Sequence, residues 1–69
     1  MTYVEKEKRY GRFLVVLEGT LRWDSWVYEV SLLEERCAQY NEIRQQMYDD
    51  IGKAKKCFYR YCSQARNYG

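Results

Sequence analysis

Outward from Asp24-Ser25 the chain alternates apolar and polar residues in both directions, and few folds accept that pattern. A two-residue turn there sets Trp23 opposite Trp26, Leu21 opposite Tyr28, Gly19 opposite Val30 and Leu17 opposite Leu32. Side chains alternate across a strand, so these pairs share one face, which Val15 and Phe13 extend. The other face carries Arg22 with Val27, Thr20 with Glu29 and Glu18 with Ser31, and is mostly polar. A slip of one residue would exchange the faces, so the register is well specified. The pattern predicts a β-hairpin over residues 12–32, with the two tryptophans as a cross-strand pair at its tip. Either the rings cap a core or the tip anchors into a partner, because tryptophan is enriched among the residues that dominate interface energy. Leu14, Val16 and Val27 are left on the polar face, and a lone hairpin is marginal in water, so something must cover it.

From Leu33 the apolar period changes from 2 to 3.6. Leu33, Cys37, Tyr40, Ile43, Met47, Tyr48, Ile51, Ala54, Phe58, Tyr61, Cys62 and Ala65 gather on one side of a helical projection. Glu35, Glu42, Asp49, Lys53 and Arg60 lie opposite. This predicts a helix over residues 33–66, continuous or kinked at Gly52, where Asp49-Asp50 offers a cap for a second helix. Arg44 falls inside the stripe and is expected to reach Glu18 or Glu29. Residues 1–11 read as an N-terminal arm. The expected class is α+β, a β-hairpin packed on one long C-terminal helix in a single domain. Such a helix would span about 50 Å against about 30 Å for the strands. Its end, residues 54–66, would be left for a second copy or a target, so a homo-oligomer is expected.

A chain of 69 residues buries only about 60% of its unfolded surface and has little stability to spare. Histidine is absent, which removes the commonest general base and metal ligand. The three cysteines are too few for a zinc site without it, and Cys57 and Cys62 diverge by about 140° on a helix. They read as reduced, packed thiols. No metal, no cofactor and no catalytic residues are expected. No apolar run is long enough to span a membrane, and the N-terminus lacks a signal-peptide pattern, so a cytoplasmic protein is expected.

Three functional readings follow. The first is a small non-enzymatic inhibitor or adaptor that binds a protein. It rests on the tryptophan tip, the open sheet edges and eight tyrosines, a residue suited to contact surfaces. Its contact residues would be Trp23, Asp24, Trp26 and Tyr28, with Tyr59, Arg60 and Tyr61 on the helix. Val15-Val16, Gly19, Asp24-Ser25 and Glu29-Val30-Ser31-Leu32, followed by acids and a helix holding Gln39-Tyr40, give residues 13–43 a likeness. With one gap, they resemble the Dmd antitoxin family of T4-type phages. The resemblance implies a phage-encoded hairpin-plus-helix protein that occupies the active groove of a host RNase toxin. This chain ends instead in a basic tail. The second reading is nucleic-acid binding through that tail. Lys53, Lys55, Lys56, Arg60 and Arg66 stand there among Phe58, Tyr59 and Tyr61 without a single acid. The third, an enzyme, is disfavoured: Glu34-Glu35 and Asp49-Asp50 are neighbours that would diverge on a helix rather than converge on one atom.

Overall fold

The computed structural model describes residues 1–68. Four antiparallel strands, β1 (Thr2–Tyr10), β2 (Phe13–Arg22), β3 (Ser25–Arg36) and β4 (Gln39–Tyr48), form a meander in the order β1-β2-β3-β4. One helix, α1 (Ile51–Tyr68), packs across one face, mainly on the central strands. The class is therefore α+β, with a sheet packed against a C-terminal helix, as the sequence indicates.

The β2–β3 hairpin forms with the expected faces and a different register. The turn is Trp23-Asp24, and Arg22 pairs with Ser25, Leu21 with Trp26, Leu17 with Val30 and Val15 with Leu32. The strands have slid by two residues relative to the expected pairing. A slide of two keeps every side chain on its own face, whereas a slide of one would not. Phe13, Val15, Leu17, Val30 and Leu32 lie beneath the helix and form half of the core. Ala54, Cys57, Phe58, Tyr61, Cys62 and Ala65 supply the other half. Cys57 and Cys62 are free thiols packed as small apolar side chains.

Two expected elements are corrected. Residues 1–11 are not an arm: β1 pairs along β2, and Gly11 turns the chain with φ 60°. Residues 33–48 are not helical. β3 runs on to Arg36, the chain reverses at Cys37-Ala38, and β4 pairs back along β3. Both turn residues have positive φ, 53° and 64°, the geometry of a type I′ turn built without its usual asparagine or glycine. Nothing in their identity announces it. The helical stripe through Tyr40, Ile43 and Met47 is accidental, since these side chains are exposed along β4. The ladder with β3 outweighs the weak helix preference of Glu, Gln and Arg there.

The helix begins where its alternative start was expected. Asp50 caps it, its Oδ1 accepting the Gly52 N–H at 2.8 Å, and Ala54 N–H donates to the Asp50 carbonyl at 3.1 Å. An 18-residue helix does not overshoot the sheet. Ala54, Phe58, Tyr61, Cys62 and Ala65 are buried within the molecule, so the overhang offered as a reason for self-association does not exist.

Candidate nucleic-acid interface

The register sorts the charges. Glu7, Glu18, Glu29, Glu35 and Glu42 pair with, or are, residues of the face turned away from the helix. Lys6 and Lys8 pair with Leu17 and Val15, so they share the helix face. All five cations of α1 lie on that side too. The molecule is a plate, acidic on its bare face and basic on the face that carries the helix.

Between β1 and α1 lies a groove of about 420 Å³. Lys6, Lys8 and Tyr10 form its strand wall, and Phe58, Tyr59, Cys62, Ser63 and Arg66 its helix wall. Two cations stand over rings, with Lys6 Nζ 5.6 Å from the Tyr59 centroid and the Arg66 guanidinium 5.8 Å from that of Tyr10. Tyr59 is held edge-on against Phe58, which is core, with centroids 5.5 Å apart. Glu7 also borders the groove, but it pairs with Val16 and points to the other face. At the floor, burial pushes the Cys62 thiol up, against a smaller pull downward from Tyr10, Arg66 and Lys8. Burial and the neighbouring thiol raise the Tyr10 phenol. Both groups are neutral at physiological pH, so the groove keeps the net charge of its cations.

The residues singled out in the sequence do not meet at one place. Arg66 faces β1 and belongs to the groove. Arg60 lies on the other flank, beside Cys57 and then Tyr48, whose proximity raises its pKa. Lys53 and Lys56 are exposed and Lys55 is half-buried, none of them lining the groove. Tyr59 is exposed as a contact residue must be, while Tyr61 is 4% exposed and part of the core, which removes it from any surface. Trp23 and Trp26 are not a cross-strand pair. Trp23 occupies the turn with 98% of its surface exposed, and Trp26 packs edge-on against Tyr3 at 5.4 Å. Asp24 is exposed beside Trp23, and Tyr28 packs against the core. Arg44 reaches neither Glu18 nor Glu29 in an ion pair among the described residues. Glu29 accepts from the Gln45 amide instead.

Reading residues 1–11 as an arm hides Lys6, Lys8 and Tyr10, which β1 brings to the groove. The signal was present: in Glu5-Lys6-Glu7-Lys8-Arg9-Tyr10 the lysines and the tyrosine recur every second residue, the period of a strand. Among the described residues no cluster of His, Cys, Asp or Glu could hold a metal ion, and no helix is long and apolar enough to cross a membrane. No protein-family model, curated protein or solved structure matches the chain.

Proposed function

We propose that this protein binds nucleic acid through the groove between β1 and α1, with Lys6, Lys8 and Arg66 on phosphate oxygens. It acts by binding and performs no catalysis. The observation that carries this reading is the convergence of three cations from two elements on one groove, two of them held against tyrosine rings. A phosphate backbone needs such a line of positive charge, and neutralising it releases counterions. Five of the seven glutamates stand on the opposite face, where they repel the backbone least, while Glu34 on the helix face is held in ion pairs with Arg12 and Arg36 and Glu5 lies beside Tyr3. The buried thiols suit the reducing cytoplasm. Titration of isotopically labelled protein with a mixed-sequence oligonucleotide at low salt tests the reading. Resonances of Lys6, Lys8, Tyr59 and Arg66 should move while those of Glu18 and Glu29 stay. Shifts confined to the outer face would overturn it.

A second reading, a protein-binding inhibitor of the kind the Dmd resemblance implies, rests on that outer face. On that face Leu14 and Leu33 are half-buried and Val16 is buried among its neighbours, and Glu7, Glu18, Glu29, Glu35 and Glu42 surround them with Arg9 paired to Glu35, a net acidic surface suited to a basic enzyme. It predicts that Glu18→Lys with Glu29→Lys releases a protein target which Lys8→Ala with Arg66→Ala leaves bound.

A further inference from the structure

The helix stops short of the sheet's far end. It starts at Ile51, just after Tyr48 pairs with Tyr28, and the tip of the β2–β3 hairpin runs on beyond it. On the helix side of that extension stands an aromatic pair. Tyr3 lies opposite Gly19, and a Cβ on Gly19 would sit 2.6 Å from its ring. Trp26 meets Tyr3 edge-on, with an interplanar angle of 82°.

Tyr3 shares a face with Lys6 only because the register of β1 shifts between Val4 and Lys6. Tyr3 and Lys6 are an odd number of residues apart, so in a regular strand they would point to opposite sides. The extra residue, Glu5, brings Tyr3 back to the face of the lysines. Bulges re-aim side chains in this way beside functional sites. One continuous track results: Arg66 with Tyr10, then Lys8, then Lys6 with Tyr59, then Tyr3 with Trp26, and Trp23 at the tip.

Trp23 is 98% exposed, and it holds φ 57° in a two-residue turn, a left-handed conformation that Cys37 and Ala38 also adopt but with much smaller side chains. The turn between β1 and β2 has the same length and nearly the same first φ, 60°, and there the position is taken by Gly11. Glycine adopts that conformation freely, whereas an indole does so only under strain. A large apolar ring kept both strained and wet is placed for something outside the molecule.

We propose that the track takes unpaired nucleic acid, its phosphates on Lys6, Lys8 and Arg66 and its bases stacked on Trp23 and on the Tyr3–Trp26 pair. The proposal rests on the nucleic-acid reading above and adds the strand class. In a duplex the base faces are covered by one another, so an aromatic tip gains nothing there. In a single strand every base offers a face. The track suits the mixture of cationic and aromatic groups that such strands require, and it continues directly from the groove.

The test uses Trp26→Phe, which leaves Trp23 as the sole tryptophan and keeps an aromatic edge for Tyr3. A labelled single strand of about 12 nucleotides and the matching duplex serve as probes. Binding is read by anisotropy of the label and stacking by quenching of Trp23 emission. The single strand should quench Trp23 and the duplex should not. In the otherwise unaltered chain Trp23→Ala should weaken single-strand binding about tenfold and leave duplex binding unchanged. If the single strand binds while Trp23 emission and the Trp23→Ala affinity stay unaltered, the tip proposal fails and the groove reading stands. If neither probe binds folded protein, both fail. If neither binds and Trp23→Ala abolishes a protein complex, the tip is a protein anchor and both likewise fail.

Discussion

Trp23 and Gly11 hold the same position in two turns of one sheet, which makes the conformational cost of the indole testable. Trp23→Gly should raise stability by about 1 kcal/mol, the cost of a left-handed conformation for a non-glycine residue. Urea denaturation measures it, and a loss of stability would mean that the ring makes compensating contacts. A stability gain accompanied by weaker single-strand binding would identify the strain as a cost of function. Gly19 shows a different constraint, the close approach of Tyr3. The clashing atoms belong to the far end of an N-terminal side chain, so Gly19→Ala should leave the protein folded while moving Tyr3 off Trp26. A changed near-ultraviolet dichroism signal with little change in the unfolding midpoint is the expected result. Tyr61 gives a pH dependence. Burial and the neighbouring Cys57 push its phenol up to about 12 from 10.0. Between these values the unfolded chain ionises and the folded one does not. The stability of the neutral phenol is thus complete below about pH 10 and falls as pH rises towards about 12. Tyr61→Phe should flatten that decline in denaturation midpoints measured across the range.

At the scale of elements, the alternating stretch from Phe13 to Leu32 is legible because burial on one face leaves a period of two. Its faces survive an error of two residues in register. The turn itself is less legible, since Trp23-Asp24 lacks the glycine that marks Gly11-Arg12. The second half of the expected helix, which is α1, is also readable, with Ala54, Phe58, Tyr61, Cys62 and Ala65 at helical spacing and all buried. β4 is not readable. It is an edge strand with almost no buried residue, so burial writes no period into it, and its residues favour helices when isolated. Leu32→Ala, at 0% exposure, should cost about 2–5 kcal/mol, much of what a domain of this size has. Met47→Ala, on the exposed edge, should cost far less, and equal costs would place Met47 in a core that the fold does not have. At the start of α1, Asp50→Ala should cost about 1 kcal/mol, and Asp49→Ala should cost little, because Asp50 is the residue whose carboxylate takes the Gly52 N–H. Half of the candidate site was readable as well. Arg66 and Tyr59 stand in a visibly basic helix, while Lys6 and Lys8 are joined to them only by the pairing of β1 with β2.

For the molecule as a whole, a net charge of +2 conceals the separation of acidic and basic faces. Net charge alone therefore understates the field that a ligand meets on the helix side. That field should orient an approaching polyanion towards the groove and steer a basic partner to the bare sheet. The direct measurement is the affinity for a labelled single strand as a function of salt. Lys6, Lys8 and Arg66 contacting phosphate predict that the logarithm of the binding constant falls against that of the salt concentration with a slope of about −2. Lys8→Ala with Arg66→Ala should flatten the slope by about 1.4 and weaken binding. Folded protein that fails to bind at low salt, or binds with a slope the double variant leaves unaltered, would contradict the assignment of the groove.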